Sequence, residues 1–205
     1  MEAPQNFMAK QPAARLSILL LVLGTALVAL SPIFVRLSEL GPTATAFHRA
    51  FLALPILLIW LRAGNSQLHK TNTPLKQLSR RDYLLLGLAG LFFAGDLVTW
   101  HWSITLTSVA NATLFANSAP IFVTLGAWLL FRERVTPLFL LALATALLGT
   151  LIVVGSSVQI DRNHILGDGI GVVTGMFWAA YQLTVKHLRE RLSAATIMAW
   201  SSLVT

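Results

Sequence analysis

The chain has 205 residues, of which 56% are hydrophobic and only 11% are charged, against about 25% charged residues in a typical soluble domain. The apolar residues form long blocks, a pattern that is typical of membrane proteins and excludes a soluble globular domain. The net charge of +7 does not indicate nucleic-acid binding, because the basic residues lie in short connections between apolar blocks. With no cysteine in the sequence, disulfides, thiol nucleophiles and cysteine-ligated metals are excluded.

The apolar blocks predict seven helices. In chain order they cover residues 16–35, 43–61, 83–107, 108–131, 135–155, 169–185 and 193–205. The first contains Pro32 and is expected to kink there, and the fifth, the most aliphatic, is expected to be the most exposed to lipid. The seventh is too short for a bilayer core of about 30 Å, so we expect the sequence to be part of a longer protein and not to transport alone.

The fourth predicted helix, Ser108–Phe131, runs for 24 residues without a charge. Within it Thr113, Asn117, Pro120 and Thr124 recur at spacings of three and four. This spacing would place them on one side of a helix. Because polar groups are costly in hydrocarbon, we expect that side to face the interior of the bundle.

The distribution of Lys and Arg predicts the orientation. With a cytoplasmic N-terminus, twelve basic residues fall in inside segments and two, Arg36 and Arg162, in outside connections. The twelve are Lys10, Arg15, Arg62, Lys70, Lys76, Arg80, Arg81, Arg132, Arg134, Lys186, Arg189 and Arg191. Since cytoplasmic loops are enriched in these residues, the N-terminus is predicted to lie inside.

A weak internal repeat is visible at an offset of 150 residues. Six positions between Val22 and Ala44 match, identically or conservatively, positions between Val172 and Ala194. An odd number of predicted helices separates the two copies, so the second would enter the membrane upside down. Inverted repeats are frequent in secondary transporters, with the substrate site near the midplane.

The run TSVANATLFANSAPIFVTLGAWLLFRERVT, residues 107–136, resembles the fourth-helix signature of EamA-type members of the drug/metabolite transporter superfamily. The matching features are a small-residue turn, a proline within the helix, a closing glutamate and a glycine in the next helix. They are Thr107-Ser108 with Ala110-Asn111-Ala112, Pro120, Glu133 and Gly149.

The resemblance implies an all-α integral membrane bundle of ten helices in two inverted five-helix repeats, with both termini cytoplasmic. On this division residues 1–15 form a cytoplasmic tail, 16–155 the first repeat and 156–205 the start of the second. It also implies a bacterial inner-membrane protein that moves small organic solutes.

Asp96 is the residue that most strongly indicates a functional role. It lies near the middle of the third predicted helix, where a carboxylate costs at least about 2.5–3.5 kcal/mol, and burial there favours the neutral form. It is either a protonatable or cation-pairing group of a transport cavity, or a structural carboxyl bonded to a neighbouring helix. Thr99, Trp100, Ser103 and Thr107 share its helix face, which predicts a polar cavity wall with Trp100 as its aromatic member.

Arg49 either extends its side chain to the outer interface or pairs inside the bundle with Asp96 or an anionic substrate; the sequence leaves both open. His101 points roughly 140° away from Asp96 around the helix, so we expect it to pack between helices, and we expect the same of His48. Glu133 is expected to form a structural ion pair.

Other polar and aromatic residues complete the candidates. Asn117 is favoured over Asn111 for binding substrate, the alternative being a hydrogen bond between helices. Trp178, Tyr181 and Gln182 form an i, i+3, i+4 set in the sixth helix. The predicted substrate-binding or coupling residues are Asp96, Trp100, Asn117, Arg49, Ser103, Trp178, Tyr181 and Gln182.

The predicted function is secondary transport of a small organic metabolite or drug-like solute, by export or exchange, with proton coupling through Asp96. The alternatives are a non-transporting assembly subunit and an integral-membrane enzyme, which the lack of HExxH and GxSxG motifs disfavours. The expected partners are the lipid bilayer and a small-molecule substrate, with no cofactor, metal or nucleic acid. A homodimer is left open.

Overall fold

The computed structural model describes residues 11–64, 78–155 and 161–205. Most of the predicted cytoplasmic tail, most of the long polar connection and the first residues of the predicted second repeat lie outside these ranges.

The described residues form nine α-helices and one turn of 3-10 helix, with no strand. The helices are α1 Gln11–Ala29, α2 Ser31–Leu37, α3 Pro42–Gly64, α4 Arg80–Leu106, α5 Val109–Ala116, α6 Ala119–Phe131, α7 Pro137–Gly155, α8 Ile165–Leu188 and α9 Ala194–Val204. The predicted all-α class is confirmed.

Four stretches of the described chain are long and apolar enough to cross a membrane: Ile18–Leu37, Pro42–Arg62, Arg80–Leu106 and Val109–Phe131. Two shorter apolar helices cover Pro137–Val153 and Ala194–Val204. No α7 side chain that the structure describes is buried, but the described side chains of α1 are more exposed still. That the fifth predicted helix is the most exposed to lipid stays a prediction.

The chain divides into two compact units, residues 1–38 and 39–205. In the first unit the predicted first helix is two helices, α1 and α2, which meet at Leu30. Pro32 lies in the first turn of α2, where its missing N–H has no helical partner to lose. The expected kink is therefore a break that begins shortly before the proline.

The second unit is built around α4, which packs most extensively against α8 and also contacts α3, α5 and α9. A capping box starts α4: the Ser79 Oγ accepts the Asp82 N–H at 3.2 Å, and the Asp82 carboxylate accepts the Ser79 N–H at 2.9 Å. The helix ends at Leu106, and Ser108 caps α5 by accepting the Asn111 N–H at 3.0 Å. The predicted tight turn at Thr107-Ser108 is thus confirmed.

The fourth predicted helix is also two helices, because the chain breaks at Asn117-Ser118 between α5 and α6. Asn117 ends α5, and Pro120 lies in the first turn of α6. The break interrupts the helical period, so Thr113 and Thr124 do not continue one face. Asn117 and Pro120 are exposed. The four residues therefore do not form one continuous helical stripe, and the expectation that they face the interior of the whole bundle stays a prediction.

Three glycines at intervals of four residues let α8 approach its neighbours closely. A Cβ atom built on Gly167 would lie 2.6 Å from the Leu106 carbonyl carbon, which means that the two backbones are in contact. Gly171 and Gly175 bring α8 against Phe115 of α5 in the same way, with tighter than ordinary distances of 3.0 and 3.2 Å. Small residues at such spacing are the usual means of close helix packing in membranes.

A short polar connection precedes α8. The Asp161 carboxylate accepts the Asn163 N–H at 3.3 Å and caps the 3-10 turn Arg162–His164. This hydrogen bond from the backbone of Asn163 holds the pKa of the exposed Asp161 below its ordinary value. Asp161 is therefore a carboxylate that stays ionised at neutral pH.

Candidate functional site

Arg49 of α3 lies beside two candidate residues of α4. Its guanidinium carbon is 5.4 Å from the centroid of the Trp100 ring, a cation–π distance. It also interacts electrostatically with Asp96, but the two groups form no ion pair within 4.0 Å in the part of the chain that the structure describes. Arg49 was expected either to extend to the outer interface or to pair with Asp96 or an anionic substrate. Its side chain instead stacks on Trp100, within electrostatic reach of Asp96.

Two aromatic side chains of α8 pack near the part of α4 that carries Asp96. Tyr181 is buried and within electrostatic range of Asp96. Its ring centroid lies 5.2 Å from that of Phe93 and 5.4 Å from that of Trp178. The structure therefore brings Arg49, Asp96, Trp100 and Tyr181 together, and we call these four residues the Asp96 site.

The hydroxyl side chains on the Asp96 face of α4 do not line an open cavity. They bond to α8 instead: Thr174 Oγ1 donates to Thr99 Oγ1 at 2.9 Å, and Ser103 Oγ donates to the Gly167 carbonyl at 2.9 Å. Ser103 is fully buried. The expected polar cavity wall is therefore corrected to a hydrogen-bonded contact between α4 and α8, which the α8 glycines make short enough to form.

At the end of this contact, Asp168 accepts two hydrogen bonds, one from the turn between α4 and α5 and one from the first turn of α5. Thr107 Oγ1 donates to Asp168 Oδ1 at 2.7 Å, and Asn111 Nδ2 donates to the same oxygen at 2.9 Å. Asn111 is buried, whereas Asn117, the favoured asparagine, is exposed. The sequence reasoning missed Asp168 because it started the sixth helix at 169, four residues after α8 begins. The Gly167, Gly171 and Gly175 spacing was the available signal.

The two candidate histidines bond to their own helices. His101 is fully buried and its Nδ1 lies 2.6 Å from the Leu97 carbonyl oxygen, which assigns the proton to Nδ1. The exposed His48 makes the same contact with Ala44 at 2.8 Å. His101 therefore packs between helices as expected, whereas the exposed His48 does not. No cluster that could hold a metal is found among the described residues.

Ion pairs gather at the opposite end of α8 from Asp168. Arg191 Nη1 donates to Asp82 Oδ2 at 2.7 Å, and Lys186 pairs with Glu133. The structural ion pair predicted for Glu133 is confirmed, with Lys186 as the partner rather than an adjacent arginine. These are residues of segments predicted to share one membrane side, and they do lie together. Which side that is remains a prediction. Gln182 is exposed, outside the Asp96 site.

Comparisons with known proteins agree with this architecture. The EamA-like transporter family matches residues 15–155. An uncharacterized transporter of Archaeoglobus fulgidus is 28% identical over 187 residues, covering 86% of this chain and 61% of the relative. A riboflavin transporter of Brucella anthropi is 25% identical over 107 residues, covering 52% of this chain and 37% of the relative. An uncharacterized transporter of Helicobacter pylori is 25% identical over 156 residues, covering 73% and 47%.

The chain thus spans less than two thirds of the length of these relatives, and no solved structure matches it significantly. The inverted repeat, the ten helices and the division at residues 15 and 155 stay predictions. The family match covers well over half of the chain, and the apolar helices are those of a bilayer protein. The chain belongs to the EamA-like transporter family and is an integral membrane protein.

Proposed function

We propose that this protein moves a small organic solute across the membrane, by export or exchange, and that the Asp96 site binds the solute. The observation that carries the proposal is the position of Asp96. A carboxyl group lies in the middle of a long apolar helix, near Arg49 but without an ion pair to it. Ionisable residues inside membranes are costly, and they mark substrate and ion pathways for that reason.

The groups around Asp96 suggest the chemistry of the solute. Trp100 and Tyr181 present aromatic surfaces to the site, and Trp178 extends that surface from α8. A flat ring can stack on them, while Arg49 or Asp96 binds a charged or polar group of the solute. The relative from Brucella anthropi, named a riboflavin transporter, supports a solute with a planar ring system.

Proton coupling would use the same carboxyl. A half-buried carboxyl group is favoured in its neutral form when water is excluded. Hydration of the site, together with the positive charge of Arg49, favours ionisation. A site that is alternately dry and open to water would therefore bind and release a proton at Asp96 in each cycle.

The test is transport against pH in the full-length protein, with Asp96→Asn compared with wild type at matched expression. The amide has the shape of the neutral carboxyl but cannot ionise, so we expect Asp96→Asn to lose pH-dependent net transport and to retain solute exchange. Labelled riboflavin and other planar solutes are the probes.

Asp161→Asn is the matched control, because Asp161 is an exposed carboxylate that stays ionised near neutral pH. Its profile should equal that of wild type. If Asp96→Asn also keeps the wild-type profile, Asp96 is structural and the protein has no coupling group at this site. If the folded wild-type protein moves no solute at all, the transport proposal itself fails.

A further inference from the structure

The contact between α3 and α4 encloses a histidine. His101 is 0% exposed, and Leu97, one turn earlier on the same face of α4, packs against Ala46 and Ala50 of α3. His101 therefore lies against the part of α3 that carries Arg49, whose charge is within electrostatic range of the imidazole. Because the side chain is already enclosed, further chain that packs onto these helices from outside would not reach it.

The imidazole of His101 uses only one of its two nitrogens. Nδ1 donates to the Leu97 carbonyl oxygen at 2.6 Å, so the lone pair of the neutral ring is on Nε2. Nε2 is buried and accepts no hydrogen bond from any residue that the structure describes. A buried acceptor without a partner costs free energy, and almost all such groups in proteins are paired. The contact between α3 and α4 therefore holds an acceptor that a nearby donor would stabilise.

The donors next to His101 on α4 are already used. Trp102 Nε1 donates to Thr43 Oγ1 at 3.2 Å, and Ser103 Oγ donates to α8 at 2.9 Å. Arg49 faces this part of α4 from α3, and its guanidinium carries five N–H donors. A charged donor also makes a stronger hydrogen bond than a neutral one. Arg49 is therefore the best-placed donor for His101 Nε2.

Arg49 lies between two acceptors and forms a hydrogen bond with neither. Its guanidinium carbon is 5.4 Å from the centroid of the Trp100 ring, and the centroid of the His101 ring is 5.2 Å from the same point. Around α4, Trp100 lies about 40° from Asp96 and about 100° from His101, between the two. A shift across the indole in one direction would bring the guanidinium to Asp96, and a shift in the other would bring it to His101.

We propose that Arg49 moves across the Trp100 ring between these acceptors, bonding to Asp96 in one state and to His101 Nε2 in another, and that His101 is the positioning residue for the second state. The proposal rests on the transport function proposed above. With Arg49 at Asp96, its positive charge favours the ionised carboxylate; with Arg49 at His101, the carboxyl group is left to take up a proton. The titratable groups near Asp96 on the helices packed against α4 are Arg49 of α3 and Tyr181 of α8, and α5 and α9 contain none.

The contact is tested by nuclear magnetic resonance of the full-length protein, labelled with nitrogen-15 at histidine and embedded in lipid bilayers. Asp96→Asn removes the negative charge that attracts Arg49, so we expect Arg49 to bind His101 and the Nε2 signal to shift to that of a hydrogen-bonded nitrogen. Adding Arg49→Met should abolish this shift. His48 is the internal control, because its Nδ1 makes the same contact with its own helix while its side chain is exposed. Its signal should not move.

The positioning role is tested by transport in the same full-length protein. His101→Phe keeps a ring but has no acceptor. It should slow pH-dependent net transport at least about ten-fold, the effect of losing one hydrogen bond to a charged group, and leave solute exchange and the KM for solute unchanged. His101→Gln retains an N–H donor and a carbonyl acceptor and should recover most of the rate. His48→Phe is the matched control and should transport as wild type does.

The outcomes separate this proposal from the transport function. If the His101 signal does not shift in Asp96→Asn, or shifts equally without Arg49, the contact between Arg49 and His101 is overturned, whether or not the wild type transports. An Arg49-dependent shift in a protein that moves no solute would leave the contact in place and overturn the transport function. Equal loss of net transport and of exchange in a folded His101→Phe variant would make His101 a packing residue only. If that variant does not fold, the resonance experiment still decides, because it leaves His101 intact.

Discussion

The two ends of α8 are held to the rest of the bundle by different kinds of contact. At its N-terminal end, Gly167 brings the backbone of α8 against the backbone of Leu106, and Asp168 accepts two hydrogen bonds from the start of α5 and the turn before it. At its C-terminal end, Leu188 is buried against α4, whereas towards α6 the ion pair of Lys186 and Glu133 is about half exposed, with relative exposures of 53% and 47%.

The two ends differ in the free energy that it costs to break their contacts. Tight packing tolerates no added volume, and overpacking costs about 1–3 kcal/mol. An exposed ion pair contributes about 0–1 kcal/mol and is weakened by salt. If the protein alternates between two states, we therefore expect α8 to separate from α6 at its C-terminal end while its N-terminal end stays in place.

The largest effect is expected from Gly167→Ala. The added methyl group would lie 2.6 Å from the Leu106 carbonyl carbon and 2.8 Å from its oxygen, and backbone atoms cannot rotate away as a side chain can. We expect a loss of about 2–3 kcal/mol in the free energy of unfolding, measured by titration with a denaturing detergent in mixed micelles.

Gly169→Ala is the control for this substitution, since it lies in the same helix and a Cβ atom there meets nothing within 4 Å. It should be neutral or stabilise by up to about 1 kcal/mol, because alanine favours the helix more than glycine does. Equal destabilisation by both substitutions would mean that helix packing at Gly167 is not close.

A smaller effect at the same end is expected from Asp168→Ala, which removes the acceptor of the hydrogen bonds from Thr107 and Asn111. We expect a loss of about 1–2 kcal/mol in the free energy of unfolding, by the same titration. Asp168→Asn keeps an oxygen acceptor and should recover part of that loss. A full recovery would show that the carboxylate charge is not needed, and no loss in either variant would contradict the role of Asp168.

Local patterns in the sequence were enough for the helical class, for most helix positions and for the turn at Thr107-Ser108. The break at Asn117-Ser118 was not predicted, because a 24-residue apolar run reads as one span and Pro120 is tolerated in the first turn of a new helix. The depth of Asp96 in its helix and the spacing of Trp178 and Tyr181 did select residues that lie near one another.

Contacts between distant segments could not be predicted in this way. The partner of Ser103 lies 64 residues away on α8, and Asp82 and Arg191 are 109 residues apart. Pairings of this kind depend on how closely two helices approach, and for Ser103 the glycine spacing of α8 allows that approach. A polar face of α4 therefore looked like a cavity wall when it is largely a contact between helices.

The smallest effect is expected at the C-terminal end of α8, from Lys186→Met. This substitution keeps the aliphatic stem over the Phe131 ring, which the Lys186 Nζ approaches to 5.6 Å from the ring centroid, and removes only the charge. Because both partners are about half exposed, we expect a loss below about 1 kcal/mol in the free energy of unfolding. That loss should shrink further at high salt, where exposed charges are screened.

Arg189→Met is the control for this last substitution, since Arg189 is exposed near the same helix end and forms no ion pair with a described carboxylate. A double-mutant cycle with Glu133→Gln isolates the pair, because Lys186→Met should then cost nothing further.

Hydrogen exchange supplies the direct comparison: amides near Lys186 should exchange faster than amides near Gly171, and Lys186→Met should accelerate only the former. A coupling energy above about 2 kcal/mol that salt does not change would mean that the Lys186–Glu133 pair is as firmly held as the glycine end. The proposed asymmetry of α8 would then be wrong.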